Sequence, residues 1–520
     1  MRGPRSLWSS GKASDSEPLF NTSTIVKVFG IFVIPATAGV LLLFLDPALV
    51  AVVTVTLYAS LWLLFNPFPA LLLYLLLVAV RPQEGVAQLE AIHVERLFAV
   101  LAMLGWGLQA AVRKAPVTFS RGVAGWLAVY VVVCFCSIFT SLWKVAAVDA
   151  WIELLKAVAL FFLISQLVDS PRRLLVLLVV FALGHLWMAG ESVRLYYSEG
   201  YDYTRMGILR ATTSSVSRGD PNSLAASLLL AVCLGIYTIR SRAAALWRVL
   251  WFCLICAGGF VVVLTGSRAA MFAALFMLFY VWLRSRKKVV VAACAVIVVA
   301  GVWLAMPLQY KDRFMTTFDF ERNPSAAESA RGRITGLKVG AQMFLDRPLL
   351  GVGVGNFSVA HATRYSPPDY QSWLQAHNLL AQVAGETGLL GLLAFAGFVV
   401  ATMRLAGRLS ASPRPVPSAA RTHGTSPAPG VAPRFRVWSP PSRSGPPSGF
   451  ASLTGSDDAS FIGSVARASL ASIWLLLFLG LFGHNVMRFN WYVNAGLVSA
   501  CAVMLPSILA KRDNDERRPA

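Results

Sequence analysis

Long apolar runs constrain this chain more than any other feature. A helix needs about 20 mostly apolar residues to cross the hydrocarbon core of a bilayer. Such runs fall at approximately 25–45, 48–65, 68–80, 93–112, 121–142, 151–168, 173–190, 222–239, 248–264, 269–283, 289–306, 377–402, 466–487 and 490–510. They are continuous rather than alternating, which selects helices over a barrel. The predicted fold is all-α: a polytopic integral membrane bundle of about 12–14 transmembrane helices, with short helices in one long outer loop. The 68–80 run is short and reads as tilted, longer or re-entrant. Composition agrees with a membrane protein. Only 14% of residues are charged, against about 25% in a soluble domain, and the mean hydropathy is +0.64.

The formal charge of +21 does not point to nucleic acid, because most Lys and Arg flank the ends of apolar runs. With the N-terminus placed inside, alternation of the spans puts Arg113-Lys114, Arg172-Arg173, Arg240/Arg242/Arg248, Arg284/Arg286/Lys287/Lys288, Arg404/Arg408 and Lys511-Arg512 on that same side. The chain then divides into an inner tail (1–24), spans across 25–306 with an outer loop at 191–221, and a long outer loop at 307–376. A span at 377–402, an inner segment at 403–465, two spans across 466–510 and an inner tail at 511–520 complete it. The 403–465 segment is rich in Pro, Ser, Ala and Arg and cannot build a core, so it reads as a disordered insertion. The first apolar run reads as a retained span rather than a cleaved signal peptide. All seven cysteines lie in apolar runs. The Cys253/Cys256 spacing is expected to serve packing, since redox and metal pairs need polar, accessible surroundings.

The polar residues able to do chemistry gather on the outer side. Within 307–376, apolar residues at Ile334, Leu337, Ala341, Phe344 and Leu345 recur with helical spacing. This helix either lies along the membrane surface or packs on the bundle. Gly351, Gly353 and Gly355 follow in a turn that is either a plain tight turn or a backbone nest for an anion. GVGVGN is not a dinucleotide fingerprint. His377 falls at the first turn of the next span. The positive end of the helix and a nearby arginine disfavour imidazolium there, so the residue is either the neutral ring a general base needs or an interfacial histidine hydrogen-bonded to the loop. Arg268 opens another span, where a cation opposes the helix dipole unless an anion is shared; it is either a guanidinium suited to phosphate or an arginine snorkelling to the interface. Arg333, Arg218 and Arg210 add cations on the same side. Asp220-Pro221 reads as a helix N-cap and first position. Glu386 is about 13 Å along the helix from His377 and half a turn away, so the two are not partners on one face. Its partner belongs to another element. His484-Asn485 and Arg488 close the 466–487 span and repeat the His-Asn pair of 377–378 as a second candidate. No HExxH, Cys/His set or outer carboxylate cluster marks a metal site.

TGSR at 265–268, the Arg333 helix leading into RPLLGVGVGNF at 347–357, HNLLAQVAGETGLLGLLAF at 377–395 and SRGDPNSLA at 217–225 together resemble the O-antigen ligase and O-antigen polymerase superfamily. That resemblance implies a glycosyltransferase of lipopolysaccharide or exopolysaccharide biosynthesis in the bacterial cell envelope. The donor would be a glycan on undecaprenyl diphosphate, and the acceptor a sugar on lipid A-core or on another lipid-linked repeat. It implies a multi-pass protein of the inner membrane, with both termini cytoplasmic and the site periplasmic. The reaction would be inverting, with no metal and no cofactor. His377 would be the base, and Arg268, Arg333 and less securely Arg218 would bind the diphosphate. Glu386, Arg210, His484 and Arg488 are further candidates. The extra spans and the Pro/Arg-rich insertion depart from the family pattern and leave the acceptor open. A small-solute transporter and a non-catalytic scaffold of a polysaccharide export complex are the alternatives.

Overall fold

The structure, a computed structural model, describes residues 46–80, 94–113, 117–198, 204–205, 208–213, 220–315, 324–366, 373–411 and 458–516. The expected 25–45 span, Arg218 and most of the 403–465 insertion lie outside them.

The architecture is an all-α membrane bundle. It opens with α1 (Pro47–Phe65) and α2 (Pro67–Val80), which meet at a 110° bend. Pro67 lacks the N–H that would continue the helix, and the bend explains why the 68–80 run is short. Then come α3 (Val94–Arg113), α4 (Arg121–Phe139), α5 (Lys144–Leu167) and α6 (Pro171–Tyr196). A two-stranded ribbon follows, β1 (Thr204–Arg205) against β2 (Ile208–Leu209), antiparallel. Four more helices continue the bundle: α7 (Pro221–Thr238), α8 (Ala245–Leu264), α9 (Arg268–Arg284) and α10 (Lys288–Ala305). The expected long outer loop contains α11 (Leu308–Met315), α12 (Pro324–Asp346), α13 (Phe357–Ala360) and a π-turn at His361–Tyr365. The bundle closes with α14 (Leu379–Ser410), α15 (Asp458–Gly480) and α16 (Phe489–Glu516). Among the described residues, nine helices are individually long and apolar enough to cross a membrane.

Burial separates the centre of the bundle from its rim. In α7 the most apolar window is 78% buried, and in α10 it is 0% buried. An all-apolar helix with no buried face has lipid as its only suitable solvent. Most of the buried residues form two large clusters, and a third, smaller one lies under α12. Of the two large ones, the first holds Leu224, Val383, Leu479 and Trp491, and the second holds Leu174, Trp247, Phe461 and Met504. The second borders the basic end, where Arg242 pairs with Asp458 at 2.8 Å and lies over the Phe461 ring. Glu153 and Lys156 pair with each other, as their spacing on one helix suggests. Cys253 and Cys256 are exposed on α8, so they do not pack in the core as expected.

α14 is not one straight span. At Gly388 the backbone turns to φ 64°, ψ −161°, a conformation essentially reserved for glycine. The 347–357 segment fills the break. Leu389 N donates to Pro348 O (2.7 Å) and Leu390 N to Leu349 O (3.3 Å), while Val352 N donates to Gly385 O and Gly353 N to Glu386 O. The groups freed by the break are therefore bonded inside the protein, as they must be in a membrane protein.

Candidate functional site

The ends of the helices opposite the basic clusters carry the predicted site residues. α12 brings the first of them in. Its Gly336 meets the Ala376 carbonyl so closely that a side chain there would strike it, and a Cβ on Gly340 would lie 2.7 Å from Cβ of Ala381. These glycines, with Val339 and Met343, face the 373–381 segment. The apolar stripe expected from sequence points the other way, with Ile334, Leu337 and Leu345 all exposed. Small residues let two backbones approach closely, which is how helices pack in membranes. The larger apolar groups are left outward.

α12 thereby sets Arg333 near Arg268, close enough that the charge of one is felt by the other. Both are half-buried. Among the described residues, neither has a hydrogen-bonding or ion-pairing partner. Burial also disfavours the charged form of Arg333. Arg268 begins α9 directly after the Ser267 N-cap, whose hydroxyl accepts from Ala270 N.

Arg210 behaves differently. It is buried, and it donates through Nε to Thr265 O (2.6 Å) and through its second guanidinium nitrogen to Asn222 Oδ1 (3.0 Å). Arg313, not singled out from sequence, donates to Gly266 O at 2.9 Å. The two guanidinium groups thus close the C-terminal carbonyls of α8 and hold the TGSR turn in place. Arg313 lies in the last turn of α11, and its sequence surroundings carry no signal of this contact.

His377 sits one residue before the N-cap of α14, not in its first turn, and its φ is 47°. The cap itself is Asn378. Its Oδ1 accepts from Ala381 N at 3.0 Å, and its Nδ2 donates to Leu481 O at 3.3 Å. Gln382 Oε1 accepts from Val486 N. These bonds join the start of α14 to the linker between α15 and α16. α15 ends at Gly480, so His484 and Arg488 lie in that linker rather than closing a span. Arg488 donates to Ser223 O (3.3 Å) and Ser223 Oγ (3.1 Å) at the start of α7.

Asp220 caps α7 as expected, accepting from Asn222 N and Ser223 N. Burial works against its charge, but the Ser223 and Asn222 bonds and Arg488 outweigh it and hold its carboxyl below the usual range. His377 and His484, distant in sequence, are thereby brought ring to ring, with centroids 5.4 Å apart.

Glu386 does not join this group. It is buried, and it bonds the backbone N–H groups of Gly355 and Phe357. Gly351, Gly353 and Gly355 have φ of 66°, 106° and 71°, so the turn does aim N–H groups inward. What receives them is the Glu386 carboxyl of the same chain. The other side of the turn is bonded to the α4–α5 junction: Leu142 N to Val352 O, Trp143 N to Asn356 Oδ1 and Val354 N to Ser137 Oγ.

Among the described residues no group of three or more His, Cys, Asp or Glu is arranged to hold a metal ion. What the geometry offers is two guanidinium groups within reach of each other's charge and, before the start of α14, a pair of imidazoles in ring contact.

Residues 251–396 match the family model described as O-antigen ligase. That match bears out the resemblance to the O-antigen ligase superfamily, and glycan transfer of the ligase or polymerase type is the activity it supports. The segment contains Arg268, Arg333, His377 and Glu386, and it leaves out Arg210, His484 and Arg488. No curated protein matches the chain.

Proposed function

From a chain that carries an O-antigen-ligase segment, we propose an enzyme that moves a glycan from undecaprenyl diphosphate to an acceptor sugar, at the periplasmic face of the bacterial inner membrane. One observation carries this reading: Arg268 and Arg333, half-buried and without a counter-ion among the described residues, lie within reach of each other's charge. Two like charges held together in partial burial are stabilised when an anion sits between them. A diphosphate suits two guanidinium forks.

The acceptor hydroxyl oxygen attacks the anomeric carbon of the donor sugar, and its proton passes to the neutral ring of His377. The bond from the sugar to the diphosphate breaks with its electron pair on the diphosphate oxygen. Arg268 and Arg333 stabilise that charge as it develops. The acceptor is lipid A-core for a ligase, or another lipid-linked repeat for a polymerase.

The break in α14 is a feature that favours a transporter, whose binding sites are often built at discontinuous helices. Its backbone groups are bonded to the 347–357 segment rather than turned toward a cavity. That argues for a structural break.

In a strain lacking the native gene, His377→Ala should lower envelope polysaccharide assembly by about 10²–10⁴-fold, the usual contribution of a general base. Arg268→Ala should cost about 10²–10³-fold. Full restoration by both variants at normal protein levels removes the catalytic reading. In the deletion strain, lipid A-core without any O-antigen, with lipid-linked polymer accumulating, identifies a ligase. Single-repeat products identify a polymerase.

A further inference from the structure

The sequence carries two His-Asn pairs, 377–378 and 484–485, and the fold sets their histidines against each other. The rings meet edge to face at 5.4 Å between centroids and 63° between planes. The position of His484 is fixed from both ends of its linker. Asn378 bonds to Leu481 O on one side, and Arg488 bonds to Ser223 on the other. Asn485 Nδ2 donates to Leu476 O at 2.9 Å. Ser223 Oγ in turn donates to Asp220 at 2.7 Å. His484 is exposed, yet the surrounding protein still desolvates its ring. The titratable and charged groups that face it are His377 from the segment before α14, Arg488 from its own linker and Asp220 from the start of α7.

We propose that His484 is the positioning partner of His377, holding that ring so that one of its nitrogens faces the acceptor hydroxyl. This rests on the reading of His377 as the base. In a catalytic histidine, the group bonded to one ring nitrogen decides which tautomer is present and where the other nitrogen points. A carboxylate commonly fills that place; here a second imidazole lies against the ring, edge to face. Burial, then the neighbouring His377 and Arg488, push the His484 pKa down to about 4, against the pull of Asp220. The ring is therefore neutral over the working range and orients without adding charge. A carboxylate would instead stabilise imidazolium on His377 and raise its proton affinity. The proton taken from the acceptor stays on His377 until solvent removes it, so His484 carries none.

The test compares His484→Ala, His484→Gln and His484→Glu with His377→Ala. The assay uses membranes of a strain lacking the native gene, supplied with the cell's own lipid-linked glycan. Rates are normalised to inserted protein. His484→Ala should lower kcat by about 10-fold or more with KM for the lipid-linked glycan nearly unchanged. His484→Gln, which keeps hydrogen-bonding atoms near the ring, should recover most of that loss. His484→Glu should move the acid limb of the pH–rate profile up by about one unit, a shift that a purely structural role would not cause. Full kcat in His484→Ala, or an unmoved acid limb in His484→Glu, overturns the proposal. Where His484→Ala fails to insert, the His484→Glu profile decides alone. An inactive His377→Ala beside unaffected His484 variants rejects only this inference. An active His377→Ala rejects the parent reading.

Discussion

Glu386 shows how one side chain can shape a candidate site from outside it. Its carboxylate takes the N–H groups of Gly355 and Phe357, and through them fixes the turn that fills the break in α14. Glu386→Ala leaves those buried donors without a partner, at about 1–3 kcal/mol for each such group. Thermal unfolding of detergent-purified protein should therefore begin at a clearly lower temperature. Glu386→Gln keeps an acceptor oxygen and should lose less. An unchanged unfolding temperature in Glu386→Ala would contradict this account of the turn. The candidate residues Arg268, Arg333 and His377 could be found from sequence because chemistry-bearing groups at helix ends are few in such an apolar chain. The partner of Glu386 could not, since it lies 29 residues away across a chain reversal. Arg210 was visible only as one more cation. Its commitment to Thr265 and Asn222 depends on the ribbon folding back over α8.

The helix that carries Arg333 is placed by glycines rather than by its apolar stripe. In water, an apolar stripe marks the face that packs. Beside a membrane that inference weakens, because lipid solvates the stripe as well as a protein core would. The 3.6-residue period thus identified α12 as a helix but not the face it buries. The spacing Gly332, Gly336, Gly340 was the signal for that face. Gly336→Leu should push α12 off the 373–381 segment. The expected result is transfer reduced about 10-fold or more, since misplacement of about 1 Å can cost 10²-fold. Faster hydrogen exchange should be confined to 373–381 and α12, with the bundle helices unaffected. Exchange in 373–381 at the wild-type rate would show that the glycine face does not hold the loop.

For the molecule as a whole, the apolar runs located helices closely. The 222–239 run became Pro221–Thr238, and the 490–510 run began α16 at Phe489. The bend between α1 and α2 and the break at Gly388 were not readable from hydropathy, because both halves of each stay apolar. The basic clusters at Arg113, Arg173, Arg240, Arg284 and Arg404 all adjoin helix ends opposite the site, which the positive-inside bias reads as cytoplasmic. On that reading, a membrane-impermeant maleimide applied to spheroplasts should label Trp373→Cys, while Arg408→Cys should label only after permeabilisation. The reverse pattern would place the site inside the cell. The central claim is that the arginine pair and His377 act together on a lipid diphosphate. Its most direct test is purified protein in liposomes, with a glycan on undecaprenyl diphosphate as sole donor and an acceptor glycan present. The account predicts glycan transfer with stoichiometric release of undecaprenyl diphosphate, lost in His377→Ala and strongly reduced in Arg268→Ala and Arg333→Ala. Transfer at the wild-type rate by His377→Ala, or no transfer by active-folded wild-type protein with either class of acceptor, would contradict it.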